Sequence, residues 1–337
     1  MADLRFRGWR LLPAICALGL FALAILSAGE LPASTAMGNC EVHQLVSLNL
    51  EISDSGEIFV PVEVNKTPAL MYLEIGSPFS MLSQQAAIRF KLRETEMAKG
   101  LDITSGSSRV QQYTDTDITL GGLAVPQAHF LIDPKSETSH RYSRPDVIGI
   151  LGMDLLWKMD LELDLAHRKL KLYAHSGCWN QILSKTPHYN VVPLQRDAFG
   201  NMFFPMELHG RKLEALLTTG SPVTTLSTDV TKRVYGFDRD SSGVESVMDQ
   251  DGHTTSQYRA MKLTASGLTL TDERVRLIDP PDDSCHLARK GSAIGYTGCL
   301  YRYPLRLGSD VLGRLHVYFA TQDNLLYYIT NAAEDSR

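Results

Sequence analysis

Apolar and polar residues alternate along "IFVPVEVN" from Ile58, and the next run, "ALMYLEI", is almost wholly apolar, with the turn residues "KTP" between them. A period of two over short stretches bounded by turn signals predicts two strands joined as a hairpin. The same pattern returns at Met202 in "MFFPMELHGRKLEALLT", where "HGR" marks the turn. "DITSGSSRVQQYTDTDITL" and "SVMDQDGHTTSQYRAMKLTA" predict two further hairpins, turning near Gly106 and at Asp251-Gly252. "GMDLLWKM" and "GSDVLGRL" predict short helices, each opened by an aspartate cap, Asp154 or Asp310, after a glycine. "AHSGCWNQILSKTPHYN" follows neither pattern and is assigned to a linker. The predicted fold class is mostly β.

Laid over one another from Ile58 and Met202, the two halves align without a gap at a spacing of 144 residues, with Phe59/Phe203, Pro61/Pro205, Gly76/Gly220, Ser77/Ser221 and Leu82/Leu226 identical. Further on, "SRVQQY" ending at Tyr113 faces "HTTSQY" ending at Tyr258, and "FLIDP" at Phe130 faces "RLIDP" at Arg276. An internal repeat of this length predicts two similar lobes. We assign residues 43–175 to the first, 176–189 to the linker and 190–330 to the second. The second half is longer, since 28 positions separate Pro280 from Gly308 where 18 separate Pro134 from Gly152, and the added segment holds Cys285 and Cys299.

With 337 residues, 44% of them hydrophobic, the chain can bury substantial cores, which excludes a disordered protein. A net charge of −5 with acids and bases interspersed supplies no basic face, so nucleic acid is not an expected partner. Arg5, Arg7 and Arg10 precede an apolar run over residues 11–28, so residues 1–36 are an export signal, either cleaved or retained as a membrane anchor. The expected location is periplasmic or secreted, with membrane contact only through that segment. Cys40, Cys178, Cys285 and Cys299 then lie in an oxidising compartment. Four cysteines allow three pairings. We favour Cys285 with Cys299, closing the longer loop, and Cys40 with Cys178. No C-x-x-C occurs and the histidines are scattered, so no metal or cofactor is expected.

Two β-rich halves, each with a strand ending in x-x-Gly-Ser, a hairpin, and a later apolar-apolar-Gly before a helix, resemble the aspartic peptidase superfamily. The bacterial exported retropepsin-like group with two lobes in one chain is the nearest likeness, over residues 43–330. The resemblance implies two retropepsin/pepsin-like acid-protease lobes, each supplying an aspartate at the start of Asp-Thr/Ser-Gly. Two such carboxylates share one proton and activate water toward a peptide carbonyl. Here the triplets are Glu74-Ile75-Gly76 and Thr218-Thr219-Gly220, followed by Ser77 and Ser221, and neither holds the aspartate.

Glu74 keeps a carboxylate but adds a methylene, moving its oxygens by about 1.5 Å where an error near 1 Å can cost about a hundredfold. Thr218 is the greater loss, because a hydroxyl cannot hold the charge or trade the proton. Ile75 replaces the hydroxyl residue that, in the family, bonds across to the other lobe; Thr219 keeps its half. Arg306 stands in an apolar slot, "LRLG" against "ILG". Gly106 and Gly252 are candidate flap tips over an extended peptide. Ser77, Ser80 and Ser221 do not suggest a nucleophile, since G-x-S-x-G is absent. The resemblance therefore implies a peptidase homologue with a degenerate dyad, binding a peptide or protein partner between its lobes. The alternatives are an active endopeptidase using Glu74 with water and Thr218, and a structural envelope protein.

Overall fold

The computed structural model describes residues 41–330 apart from 99–102, 106–107, 135–143, 185–188, 198–199, 249–253, 266, 280–288, 291–292 and 295–302. It is mostly β, and the described residues belong to one compact unit. Ile58–Val64 and Thr67–Leu73 make the first predicted hairpin, with Asn65 and Lys66 both at positive φ in the turn. Met202–Leu208 and Arg211–Leu217 repeat it, with His209 and Gly210 at positive φ. Such a turn twists in the sense of its flanking strands, which explains why two residues suffice.

In the first lobe the sheet runs from Ile58–Val64 through Thr67–Leu73, Val147–Leu151, Met81–Ser83 and Leu123–Asp133 to Gln112–Leu120, which pairs back onto Ile58–Val64 and closes the ring. The second lobe closes the same way through Met202–Leu208, Arg211–Leu217, Leu305–Leu307, Thr225–Ser227, Leu268–Ile278 and Thr254–Ala265. Alternation fills each interior: Val60, Val62 and Val64 are buried while Pro61 and Glu63 are exposed, and Phe204, Met206 and Leu208 repeat this. Pro61 and Pro205 lie where their strand passes from one neighbour to the next, since Glu51–Ile52 reaches only Phe59 and Ile58 while Gln112–Leu120 reaches only Glu63 and Val64. Each proline's missing N–H is therefore not needed by the ladder.

The hairpins that follow are not in simple repeat register. Leu268–Ile278 pairs with Thr254–Ala265 in an unbroken ladder, whereas the first-lobe ladder is irregular between Val125 and Ala128. The bulge alters only the pairing with Gln112–Leu120, and Leu131, one residue beyond Phe130, stands beside Met81 as Arg276 stands beside Thr225. The sequence alignment of "FLIDP" with "RLIDP", which set Phe130 against Arg276, is corrected by that one residue.

A six-stranded sheet joins the lobes, and its central pairing sets Asp160–Asp164 of the first against Leu315–Ala320 of the second. Leu161 and Leu163 face the common core, while Asp160, Glu162 and Asp164 alternate onto the other face. Part of the predicted linker is a helix, Trp179–Leu183, that packs on this face. Trp179 Nε1 donates to Asp160 Oδ2 at 2.8 Å, and both residues are buried. The periodicity missed the helix because it is short and is held by a side-chain contact to the sheet.

Glu162 accepts from Lys171 Nζ at 2.7 Å, His316 Nε2 at 2.9 Å and the Tyr173 hydroxyl. Burial alone would push its carboxyl up, but His316, Lys171 and Tyr173 outweigh this and hold it at about 2. A carboxylate with a depressed folded value stabilises above its unfolded value of 4.5 and loses that contribution as pH falls toward 2. Urea denaturation from pH 7 to 2 should show about 2–3 kcal/mol of stability lost below pH 4.5 in the native chain. Glu162→Gln should flatten that acid limb; an unchanged limb would refute the assignment.

Candidate functional site

The strands Thr67–Leu73 and Arg211–Leu217 end at Glu74 and Thr218, where the chain turns at once. Glu74 N donates to Leu151 O at 3.0 Å and Thr218 N to Leu307 O at 2.9 Å, so each turn is fastened to the strand before Gly152 or Gly308. Ser77 Oγ donates to Phe79 O at 2.9 Å and Ser221 Oγ to Val223 O at 2.6 Å. These serines shape the turns.

Behind each turn lies a second repeated contact. Ser80 Oγ donates to Asp154 Oδ1 at 2.6 Å and accepts from Gly152 N at 2.9 Å. Thr224 Oγ1 donates to Asp310 Oδ1 at 2.8 Å and accepts from Gly308 N at 3.1 Å. Gly152 and Gly308 are the N-caps, and Asp154 and Asp310 lie inside the first turn of Met153–Leu156 and Ser309–Leu312. The predicted capping role is thus corrected: each aspartate ties its helix to the loop that follows the site turn. Burial pushes the Asp154 carboxyl up, against the hydrogen bonds from Ser80 and Leu155.

The two turns meet across the lobe interface. Thr219 Oγ1 donates to Leu73 O at 2.5 Å and accepts from Ile75 N at 3.1 Å. Ile75, buried at 3% exposure, has no hydroxyl to return these bonds, so the clasp is one-sided. A Cβ at Gly220 would lie 2.2 Å from Glu74 Oε1, and one at Gly76 would lie 2.7 Å from Thr218 Cβ. Only glycine allows the opposed turns to approach this closely. The Glu74 carboxylate is therefore packed against Gly220, at 4% exposure, and Thr218 is fully buried with its Oγ1 accepting from Gly220 N at 3.0 Å.

Arg306 is the residue whose part the sequence did not disclose. Its Nη2 lies 3.8 Å from Glu74 Oε1, and the side chains are 13% and 5% exposed. At that separation the contact is an ion pair without hydrogen-bond geometry. A buried carboxylate needs a compensating charge, and this guanidinium supplies one from the opposite lobe. The signal was present in the repeat: Arg306 pairs with Leu216 where Ile150 pairs with Tyr72. Among the described residues the two turns and Arg306 bring together the Glu74 carboxylate, a guanidinium and the Thr218 and Thr219 hydroxyls, a set that can hold a polar group but cannot share one proton between two carboxylates.

Both candidate flap tips, Gly106 and Gly252, lie outside the described residues, though their arms do not. Ile103–Ser105 pairs with Ser108–Val110, and Val110 is buried against Phe59, Tyr72, Met81, Leu131 and Ile150. Val244–Met248 pairs with Thr254–Ala265 in the second lobe. Cys178 is buried before the helix Trp179–Leu183, whereas Cys40, Cys285 and Cys299 lie outside the described residues, as does the segment 1–36. Among the described residues no helix is long and apolar enough to cross a membrane, and no cluster of three metal-ligating side chains occurs.

No protein-family model matches the chain, and no curated protein matches it in sequence. Among solved structures it is similar to conglutin gamma, a basic 7S globulin from lupine seeds, at a TM-score of 0.49 and 13% identity, covering 88% of this chain and 97% of that one. Basic 7S globulin from soybean gives a TM-score of 0.47 and 11% identity, over 86% of this chain and 97% of that one.

Thr219→Val removes both bonds of the clasp and leaves the Ile75 N–H and Leu73 carbonyl buried without that partner. It should lower the unfolding free energy by about 2–4 kcal/mol, against about 1 for Ser77→Ala, in urea denaturation. Equal effects would show that the clasp does not hold the lobes.

Proposed function

We propose that the chain is an exported aspartic-peptidase homologue, of the bacterial retropepsin-like kind with two lobes, whose catalytic pair is lost and whose inter-lobe cleft binds a peptide or a protein partner. The observation that carries this reading is the company Glu74 keeps. Its opposite number in the repeat is the hydroxyl residue Thr218, and among the described residues the Arg306 guanidinium faces it across the interface at 3.8 Å. A water-activating pair needs one carboxyl protonated and one ionised, and a fixed ion pair with one hydroxyl supplies neither the second carboxyl nor the shared proton. Export through residues 1–36, with a periplasmic or secreted location or anchorage by residues 11–28, belongs to the same proposal. So do the pairings Cys40–Cys178 and Cys285–Cys299.

Arg306 changes what is needed to recover catalysis. A guanidinium beside one member of a restored pair favours its charged form and opposes proton sharing. Against a diverse peptide mixture between about pH 3 and 7, the native chain should cleave no faster than Glu74→Gln. Glu74→Asp/Thr218→Asp should stay at least about tenfold slower than the triple variant that adds Arg306→Ile, the residue type of the first lobe at Ile150. Cleavage by the native chain that disappears in Glu74→Gln would sink the proposal in favour of an active peptidase.

A further inference from the structure

One row of side chains crosses the outer face of each barrel, starting two residues before the site position. In the first lobe the strand pairings set Tyr72, Ile150, Met81, Leu131 and Tyr113 side by side. In the second they set Leu216, Arg306, Thr225, Arg276 and Gln257 in the same order. Adjacent strands lie about 4.8 Å apart, so neighbours in such a row touch a common ligand. The first row is apolar and is covered by Val110. The second has exchanged an isoleucine, a methionine and a leucine for arginine, threonine and arginine.

These exchanges are costly unless something answers them. Thr225 is 6% exposed, and neither its Oγ1 nor Arg276 Nε has a hydrogen-bond partner among the described residues. A buried hydroxyl and guanidinium nitrogen without partners cost free energy that leucine and methionine at the same positions would not. Arg306 is compensated by Glu74. Arg276 forms no ion pair among the described residues and is partly exposed, as is Gln257. The row therefore presents one net positive charge, a buried hydroxyl and an amide in line, beginning at the ion pair in the site.

We infer that the row Arg306, Thr225, Arg276 and Gln257 is a subsite for a carboxylate side chain of a peptide bound between the lobes. A guanidinium fork donates to both oxygens of a carboxylate, the Thr225 hydroxyl donates to one of them, and Gln257 closes the far side. The inference rests on the proposed peptide-binding cleft and narrows it: ligands carrying Asp or Glu at one position are selected.

The test uses the full-length chain, immobilised at pH 7, and a random peptide library with acetylated and amidated ends, so that only side chains carry charge. Retained peptides should be enriched at least fivefold in Asp or Glu at one position. Arg276→Leu, which installs the first lobe's residue and so keeps a side chain this fold already accommodates, should abolish the enrichment. Gln257→Leu should reduce it two- to fivefold, and Arg233→Gln, an exposed cation elsewhere on the lobe, should leave it unchanged. Retention without acidic preference overturns the subsite while leaving the cleft as a peptide groove. Retention of no peptide overturns both readings, and an acidic preference that survives Arg276→Leu and Gln257→Leu places the anion elsewhere.

Discussion

The pairing of Asp160–Asp164 with Leu315–Ala320 is the constraint on which the site depends. Four residue pairs carry one lobe's sheet into the other's, from Leu161 opposite Phe319 to Asp164 opposite His316. A strand register is set to a whole residue, because a slip by one turns every side chain to the opposite face. Here a slip would turn Leu161 and Leu163 onto the face of buried polar contacts and Glu162 into the apolar core. The seam thereby determines where the two barrels sit, and so where their turns meet. Thr219 can reach Leu73 and Ile75 only because the seam has already brought the two strand ends into opposition.

What meets there is an unequal pair. A repeated fold builds two equivalent positions, but equivalence of backbone does not oblige equivalence of chemistry. The backbone parts persist in both lobes: the turn fastened to Leu151 or Leu307, the Ser80 or Thr224 hydroxyl held by an aspartate, and the glycines that permit close approach. The side chains that would carry charge have diverged. The inter-lobe clasp has diverged with them, since Thr219 makes both of its bonds and Ile75 makes neither through its side chain.

Much of this was legible in the chain because it depends on local pattern. Period-two alternation gave the strands of each first hairpin, turn residues gave their joints, and the repeat gave Glu74 and Thr218 as partners. Three features were not legible, each for a physical reason. The irregularity between Val125 and Ala128 displaces a ladder by one residue without any composition change, so an alignment drifts unseen. The helix Trp179–Leu183 is held by a tertiary hydrogen bond to Asp160 rather than by its own periodicity. Arg306 could be seen as a polar intruder, yet its role depends on a carboxylate from the other half of the chain that sequence separation conceals.

The ion pair between Glu74 and Arg306 also bears on how the halves can be combined. Two copies of the first lobe would bring two Glu74 carboxylates together with no cation, and two copies of the second would bring two Arg306 guanidiniums together with no anion. Either assembly leaves buried like charges, whereas the unlike pairing is neutral. The one-sided clasp imposes the same preference, since a symmetric pair of first lobes would present Ile75 twice and no hydroxyl. Each half has become the obligate complement of the other. Exchange of one half for a second copy of the other is therefore opposed by charge as well as by the loss of the clasp.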